Sequence, residues 1–275
     1  MNLYARIAQA QAQGRPVAVC TVVRTRGSTP RRSGAKMLVY ADGSLYETIG
    51  GGTMESKVIA EAQQALQDGR PRLLTYRFVD PQRGDVGVCG GEMEVLVEAV
   101  MPPATVIVIG AGHVGKAVAH LAKWLGYRVL INDDRPEFCS PDFIPDADGY
   151  YPVPMSELPS QVVIHPQTYL VLTTRGVPVD VAGLPALLET PAAYIGIIGS
   201  RRRWQTTRKA LLAAGLPEER LQRVVSPIGL ELNAETPEEI AVSIMAQIIM
   251  QHRGGDGRPM APNPVQENNH VADLP

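Results

Sequence analysis

A cysteine followed by two glycines is the segment of this chain that most directly suggests ligand chemistry. Val88-Cys89-Gly90-Gly91 places a thiol beside two residues without side chains, which leaves room for a bulky ligand. A thiolate is a soft ligand that suits metal–sulfur chemistry. A lone cysteine is also commonly a small buried hydrophobic residue. By itself the segment is compatible with either interpretation.

Two glycine-rich turns precede this cysteine. The loop from Gly27 to Gly34 is basic and rich in hydroxyl groups. The run Gly50–Gly52 leads directly into a predicted helix start at Thr53, and consecutive glycines before a helix can form a nest of N–H groups suited to a phosphate or to a pterin edge. Each turn alone could be ordinary turn chemistry. Together with the cysteine they predict one cofactor site, whose candidate residues are Arg31, Gly50, Gly51, Gly52, Cys89, Gly90 and Gly91.

A third glycine-rich turn follows an apolar strand and begins a helix. In Gly110-Ala111-Gly112-His113-Val114-Gly115 the first glycine permits a tight turn, the second lets a pyrophosphate approach the backbone, and the third lets helix and strand pack closely. An acid is expected about 20 residues later to bind ribose hydroxyls, and Asp133 stands there. His113 occupies a variable position whose side chain can face the ligand. The pattern predicts Rossmann-type nucleotide binding; the alternative is a Rossmann fold that keeps its glycines only for packing.

Two later turns have a similar position after a strand. Gly199-Ser200-Arg201 presents a hydroxyl and a cation at the edge where open α/β sheets bind ligands, and two more arginines follow. Ser200 and Arg201 are therefore candidates for binding an anion, although a solvated first helical turn would look the same. Thr173-Thr174-Arg175-Gly176 is a second such segment, and it could equally be an ordinary turn.

The elements that must position these residues fall into two classes. The first part predicts a small mixed α+β domain, and from Thr105 the pattern changes to apolar strand, glycine turn and helix, which predicts a Rossmann-like parallel-sheet domain. The fold class is therefore α/β, with a domain over 1–101, a second over 104–253, and a flexible tail over 254–275. The first domain is predicted to contain helices over 3–13 and 54–66 and strands over 17–23, 36–40, 44–49, 73–78 and 92–100. The second is predicted to contain strands over 106–109, 128–134, 169–174 and 193–198, a helix from about His113, and a last helix that begins with the capping box Thr236-Pro237-Glu238-Glu239.

Composition excludes several classes of protein. A net charge of −2 and a pI near 6.2 argue against a nucleic-acid binder, for which a pI of about 9 or more is usual. No apolar run reaches the roughly 20 residues that a membrane helix needs, and no secretory signal is visible at the start, so a cytoplasmic location is expected. The 3 cysteines cannot complete a disulfide framework, and neither they nor the 5 histidines have zinc-site spacing.

In combination, the motifs resemble the XdhC/CoxI family of xanthine dehydrogenase accessory proteins, from about Val17 to Gln251. Singly, only the cysteine–glycine block and a late proline–glycine block are distinctive. The blocks are, in order, Gly27-Ser28-Thr29-Pro30-Arg31 with Gly34-Ala35-Lys36-Met37, Ile49-Gly50-Gly51-Gly52 with Glu55, Val88-Cys89-Gly90-Gly91-Glu92, the turn Gly110–Gly115, Tyr194-Ile195-Gly196 with Gly199-Ser200-Arg201, and Pro227-Ile228-Gly229-Leu230 with Ala234-Glu235-Thr236-Pro237-Glu238-Glu239.

The resemblance implies a chaperone of the molybdenum cofactor rather than an enzyme. Such proteins bind molybdopterin, protect it while a cysteine desulfurase replaces an oxo ligand with sulfide, and insert it into a xanthine dehydrogenase-type molybdoenzyme. Cys89 matches the family cysteine implicated in holding the cofactor, which makes it the candidate molybdenum ligand. Many members carry Gly-Gly-Cys where this chain has Gly51-Gly52-Thr53, so a second matched thiol is lacking. A homodimer is a further implication of the resemblance.

Two other functions remain open from the sequence. One is an NAD(P)-dependent oxidoreductase, which would use the dinucleotide turn fully but lacks a convincing acid/base pair. The other is a regulatory module that binds an adenine nucleotide without acting on a molybdoenzyme. The ligand of the Rossmann-like half is therefore either an adenine nucleotide, NAD(P) among them, or part of the molybdenum cofactor.

Overall fold

The computed structural model describes residues 2–78, 86 and 90–261. The chain forms two compact units, one from residues 1–104 with 162–167 and the other from residues 105–161 with 168–275. One unit contains an antiparallel sheet and the other a parallel sheet, which confirms the predicted α/β class. None of the helices within the described ranges has the length and apolar character needed to cross a membrane. From residue 262 onwards the predicted tail lies outside the described residues.

The first unit is a five-stranded antiparallel sheet with strand order β3-β2-β1-β5-β4. In strand β5 the sequence alternates between core and surface: Met93, Val95 and Val97 are buried, while Glu92, Glu94 and Glu98 are not. These side chains share a core with helix α2. The elements are α1 (Leu3–Ala12), β1 (Val17–Arg26), β2 (Lys36–Tyr40), β3 (Leu45–Tyr46), α2 (Gly52–Asp68), β4 (Arg72–Arg77) and β5 (Glu92–Val100).

The predicted strand over 44–49 is wrong in length, because the paired strand covers only Leu45–Tyr46. Glu47 has a φ of 65°, and Gly50, Gly51 and Gly52 all have positive φ. Left-handed backbone cannot continue an extended strand. The chain therefore turns immediately after β3 and enters α2.

The second unit is a six-stranded parallel sheet with strand order β11-β10-β9-β6-β7-β8. Counted from β6 as the first strand, this is the 3-2-1-4-5-6 order of the doubly wound dinucleotide-binding fold. Every residue of β6 and β9 is buried, as expected for central strands covered on both faces. The elements are β6 (Thr105–Ile109), α3 (His113–Trp124), β7 (Arg128–Asn132), β8 (Gly149–Tyr151), α4 (Leu158–Gln161), β9 (Thr168–Leu172), α5 (Val177–Leu188), β10 (Tyr194–Ile197), α6 (Arg201–Ala213), α7 (Glu218–Leu221), β11 (Val224–Val225) and α8 (Pro237–Arg253).

The last helix begins as its sequence predicts. The Thr236 hydroxyl oxygen accepts from the Glu239 N–H at 3.2 Å, and the Glu239 carboxylate accepts from the Thr236 N–H at 3.1 Å. The apolar stripe of this helix, Ala241, Ile244, Met245 and Ile248, is buried. Strands β8 and β11 were not predicted, because three and two residues are too few to show a period.

Candidate functional site

Three glycine segments that are distant in sequence meet in the antiparallel unit. A Cβ atom built on Gly27 would lie 2.8 Å from the Gly90 carbonyl oxygen, and one on Gly91 would overlap the Ser28 carbonyl oxygen. A Cβ on Gly50 would lie 2.6 Å from the Pro30 Cβ. Only residues without side chains permit these approaches, so Gly27, Gly50 and Gly91 are required where the turns pack on one another.

Cys89 itself lies outside the described residues, while its neighbours Gly90 and Gly91 are described. Arg31, in the turn that packs beside them, is exposed. The Arg31 carbonyl oxygen accepts a hydrogen bond from the Thr29 hydroxyl at 2.9 Å, which fixes the turn. The guanidinium of Arg31 takes no part in this bond. The sequence grouped these segments into one site, and the described parts of all three lie together.

The predicted N–H nest at Gly50–Gly52 holds a carboxylate of the chain itself. Glu55 accepts from the N–H groups of Ile49 at 3.0 Å and Gly51 at 3.1 Å, and also from the Thr48 hydroxyl. The Gly50 N–H donates to the Thr48 hydroxyl oxygen at 3.1 Å. These donors are therefore engaged internally, and a bound anion would have to displace Glu55 to reach them. The acid was visible in the sequence one turn into α2, where a carboxylate can reach back to the free N–H groups of the helix start.

The electrostatics of Glu55 follow from this geometry. Burial alone would raise the pKa of the carboxyl, but the hydrogen bonds from Thr48, Gly51 and Ile49 outweigh burial and bring the pKa below its ordinary value of 4.5. The carboxylate is therefore ionised at neutral pH and acts as a permanent brace of the glycine turn.

We expect the pH dependence of the free energy of unfolding to reveal the stabilisation that Glu55 provides. Because the folded-state pKa lies below the ordinary 4.5, the stabilisation is fully present above that pH and is lost as the pH falls through the folded-state pKa. Glu55→Gln should lower the free energy of unfolding at pH 7 by about 1–3 kcal/mol and flatten its decline below about pH 5. The measurement is the free energy of urea unfolding across a pH series, together with amide hydrogen exchange in α2.

The matched control is Glu98→Gln, which removes the same charge from an exposed position on β5. It should leave both the stability and its pH profile close to wild type. If the free energy of unfolding fell by the same amount in wild type and in Glu55→Gln as the pH is lowered, the stabilising role assigned to Glu55 would be contradicted.

The other two thiols are structural. Cys20 is completely buried in β1, as expected for a core residue, and burial together with the Glu55 charge raises the pKa of its thiol to about 12. Cys139 is also buried, and its Sγ contacts the Ile131 carbonyl oxygen at 3.4 Å. Thiols held this way are poor nucleophiles and poor metal ligands. Within the described parts of the chain, no group of three or more His, Cys, Asp or Glu side chains could hold a metal ion.

The dinucleotide turn of the parallel unit has the geometry that its glycines predict. Gly110 has a φ of 97°, and a Cβ on it would lie 2.6 Å from the Thr173 carbonyl oxygen. A Cβ on Gly115 would overlap the Gly110 carbonyl oxygen, so the third glycine allows helix α3 to pack on the turn. At Gly112, by contrast, nothing lies within 4 Å of a Cβ. The open position is the one where a phosphate would approach.

Asp133 follows β7 directly and lines the cleft at that edge of the sheet, but its carboxylate is bonded within the chain. Its side chain is 1% exposed; its oxygens accept from the Ala111 N–H at 2.8 Å and from Arg135 at 2.8 Å. Burial would raise the pKa of Asp133, but the bonds from Arg135 and Ala111 outweigh it and lower the pKa. In this structure the carboxylate supports the glycine turn, and its oxygens are occupied.

The neighbouring acid is the accessible one. Asp134 forms a two-pronged ion pair with Arg175 at 2.6 and 2.7 Å, and both side chains are partly exposed. Both residues line a cleft of about 250 Å³ at the carboxyl ends of β6, β7 and β9. This is the switch point of the strand order, where open α/β sheets bind ligands. Sequence reasoning missed Asp134 as a candidate because two adjacent acids follow β7 and only burial distinguishes them.

The remaining candidates lie apart from this cleft. His113 is exposed and lines a separate apolar groove formed with α8, so the structure does not bring it to the cleft. Ser200 is the N-cap of α6, and its hydroxyl oxygen accepts from the Arg203 N–H at 3.2 Å. Arg201 lines a third, polar cleft.

Known proteins resemble this chain in both halves. A family model described as the XdhC Rossmann domain matches residues 106–248, and one described as the XdhC and CoxI family matches residues 10–77. The uncharacterized protein YqeB of Escherichia coli is 37% identical over 259 residues, which cover 94% of this chain and 47% of YqeB. A Bacillus subtilis protein named as a probable xanthine dehydrogenase subunit is 31% identical over 159 residues, which cover 58% of this chain and 46% of that protein. The chain thus spans about half the length of these two relatives.

A third relative is matched over most of its length. The molybdenum cofactor insertion chaperone PaoD of Escherichia coli is 22% identical over 269 residues, covering 87% of this chain and 85% of PaoD. A solved structure described as a xanthine dehydrogenase from Bacillus halodurans superposes with a TM-score of 0.50 at 24% identity, covering 97% of this chain and 99% of that one. At that identity the likeness shows the fold.

The strand order and the glycine turn define a protein that has a Rossmann-type parallel-sheet unit and a second, smaller antiparallel unit. Because the Rossmann-domain model matches more than half of its residues, the chain belongs to the XdhC family.

Proposed function

We propose that this protein is a molybdenum cofactor chaperone. It binds molybdopterin, holds it while a cysteine desulfurase exchanges an oxo ligand for sulfide, and inserts it into a xanthine dehydrogenase-type molybdoenzyme. Family membership supports an accessory role, and PaoD, named as a molybdenum cofactor insertion chaperone, is a relative matched across 87% of this chain. We further propose that the chaperone is a cytoplasmic homodimer.

The observation that carries the proposal is the convergence of the three glycine segments in the antiparallel unit. Gly91 lies against Ser28, Gly27 against Gly90, and Gly50 against Pro30. Because Cys89 is bonded to Gly90, a thiol belongs to the segment that these turns support. An architecture that gathers glycines around a cysteine segment suits a large ligand with a soft metal.

The donor set fits the cofactor in part. Cys89 would supply a thiolate to molybdenum, and the exposed Arg31 would meet the terminal phosphate. Gly51 and Gly52 have open space where side chains would be, so they would offer the pterin an unobstructed face. The N–H groups of Ile49, Gly50 and Gly51 are already engaged, so we assign phosphate binding to Arg31 rather than to the nest.

We also propose that the parallel-sheet unit binds a nucleotide, either free or as part of the cofactor. Gly112 has the open approach that a pyrophosphate needs. Asp133 acts there by holding the Ala111 N–H, and Asp134 is the carboxylate that a ribose can reach. The alternative function is that of an NAD(P)-dependent oxidoreductase. This alternative would be supported if the protein oxidised reduced nicotinamide cofactor in the presence of a carbonyl substrate.

The test is copurification of molybdopterin from a host that synthesises it. We expect wild-type protein to carry pterin and to activate an apo-molybdoenzyme, and Cys89→Ala to lose at least about tenfold of both, which corresponds to ~1.4 kcal/mol. The matched control is Cys139→Ala, which removes a buried thiol from the other unit and should retain cofactor.

Two results would count against the proposal. Equal pterin content in wild type and Cys89→Ala would remove the role of the thiol. A wild-type protein that carries no pterin and activates no molybdoenzyme would end the chaperone hypothesis, and nucleotide binding without any such effect would instead favour a regulatory module.

A further inference from the structure

The ion pair between Asp134 and Arg175 crosses the carboxyl end of β6. Asp134 follows β7 and Arg175 follows β9, and β6 lies between these two strands in the sheet. Ile109 at the end of β6 pairs with Asn132 of β7 and with Leu172 of β9, so the three strands end level. The two side chains therefore join segments that are two strand spacings, roughly 10 Å, apart. A ligand that crosses the switch point meets this ion pair.

The two members of the pair use their hydrogen-bonding groups on each other. The Arg175 guanidinium donates to both carboxylate oxygens of Asp134, and this contact lowers the pKa of Asp134, so the carboxylate is ionised at neutral pH. The side chains of Asp134 and Arg175 are 37% and 48% exposed, so each can turn outward without unpacking the core. A ligand that separates them has to replace both partners, because a charge left without its partner costs free energy.

A hydrogen-bond acceptor without a donor lies on the wall of the same cleft. Asn132 is 1% exposed and lines the cleft. Its Nδ2 group donates to the carbonyl oxygens of Tyr151 at 2.9 Å and Val153 at 2.8 Å, so turning the amide around would set its oxygen against them. Across residues 2–78, 86 and 90–261, no N–H or O–H group donates to the Asn132 Oδ1. Because polar groups of buried residues usually have partners, this open acceptor favours a ligand that donates a hydrogen bond.

The remaining walls of the cleft favour a flat apolar group. Pro154 and Met155, in the segment after β8, and Pro178 and Val179, at the start of α5, line the cleft. A Cβ on Gly183 would overlap the Met155 side chain, so these two segments pack closely. The volume of about 250 Å³ lies just below the range of about 300–1,000 Å³ for sites that enclose a drug-sized ligand. It suits one nucleoside, with the base between the apolar walls.

From these features we infer that the Asp134–Arg175 pair selects ribonucleotides, which carry both a cis-diol and a phosphate. The ribose hydroxyls donate to Asp134 and to the Asn132 Oδ1, and the guanidinium that Asp134 releases donates to the phosphate. A nucleoside without a phosphate separates the pair and leaves Arg175 unpaired, whereas a phosphate without the diol leaves Asp134 unpaired. This inference rests on the proposed function, because it specifies the nucleotide that the parallel-sheet unit binds.

Isothermal titration calorimetry of the whole chain tests this selection. The 5′-diphosphates of adenosine, guanosine, cytidine and uridine are compared on wild type, and the variants are titrated with the tightest of them and with its nucleoside. Arg175→Gln should bind the diphosphate at least about tenfold more weakly, because the phosphate loses its guanidinium. The same variant should bind the nucleoside more tightly than wild type does, since no ion pair has to be broken.

Asp134→Asn tests the contact with the diol. Wild type should bind the ribonucleotide about tenfold more tightly than its 2′-deoxy form, which leaves an acceptor unpaired, and Asp134→Asn should reduce that preference. Two controls change exposed residues of the same unit outside the cleft, Arg202→Gln and Asp142→Asn, and both should bind as wild type does. Because all four variants change exposed side chains, their midpoints of thermal unfolding should stay close to that of wild type.

The outcomes separate this inference from the proposed function. Equal losses of affinity for the diphosphate and the nucleoside in Arg175→Gln, or no change in either, overturn the selection while nucleotide binding stands. Failure of wild type to bind any of the diphosphates overturns the inference and the nucleotide site together, whereas the chaperone function is decided by the molybdopterin test. If the expected affinities are found but wild type never carries molybdopterin, the inference stands and the chaperone function fails.

Discussion

Arg203→Ala should destabilise the parallel-sheet unit by about 3–5 kcal/mol, because it leaves a buried carboxylate without its partner. Asp180 on α5 is completely buried and accepts from Arg203 at 2.7 and 3.2 Å. The same guanidinium donates to the Thr174 hydroxyl at 2.7 Å and to its carbonyl oxygen at 3.1 Å. One side chain therefore ties the end of β9 to α5 and α6.

Both tryptophans of the chain, Trp124 and Trp204, belong to this unit, so urea unfolding followed by tryptophan fluorescence measures the effect. The midpoint of thermal unfolding should fall by roughly 10 °C, at 2–4 °C per kcal/mol for a unit of this size. Arg203→Lys should recover only part of the loss, because an ammonium cannot reproduce the guanidinium fork.

Arg202→Ala is the matched control, since Arg202 is the exposed neighbour on the same helix. It should unfold within about 0.5 kcal/mol of wild type. Equal stability of Arg203→Ala and Arg202→Ala would mean that the buried carboxylate does not need its partner, which would contradict the assigned network.

Gly91→Ala should have the second largest effect, this time in the antiparallel unit. A Cβ at this position would overlap the Ser28 carbonyl oxygen and lie 2.6 Å from that of Arg26. Both are backbone atoms at the end of β1, where Arg26 pairs with Glu92 of β5, so neither can move without shifting the strands. We expect a loss of about 3 kcal/mol, the upper end of the usual cost of overpacking, and faster amide hydrogen exchange in β1 and β5.

Gly34→Ala separates this clash from backbone strain. Gly34 has a φ of 94° and nothing within 4 Å of an added Cβ, so the substitution costs only the strain of a left-handed residue, about 1–2 kcal/mol. The contact between Gly91 and Ser28 is refuted if both variants lose the same stability and exchange protection. Gly91→Ala should also lower the molybdopterin content, because it displaces the cysteine segment from the turns.

The structure also explains which basic residues at the start of α6 are free to bind. The sequence offered three consecutive arginines as anion ligands. Arg203 is committed to the network with Asp180, and Arg201 lines the polar cleft. Sequence spacing could not separate these roles, because Asp180 is 23 positions away from Arg203 and reaches it only through the packing of α5 against α6.

The sequence by itself determined the features that depend on neighbours within a few residues. The alternation of β5, the capping box at Thr236 and the glycine pattern of 110–115 are such features, because hydrogen bonds and sterics over one or two turns fix them. Even the meeting of the glycine segments was expected from their unusual composition, although no local rule required it.

Only the tertiary structure decided the features that depend on distant residues. The strand order set the position of the switch-point cleft, burial separated Asp133 from Asp134, and the return of Glu55 onto its own turn filled the predicted anion nest. Each of these features depends on which polar group is removed from water and on which hydrogen-bond partner replaces the water. Desolvation is a property of the assembled packing, so no spacing along the chain could reveal it.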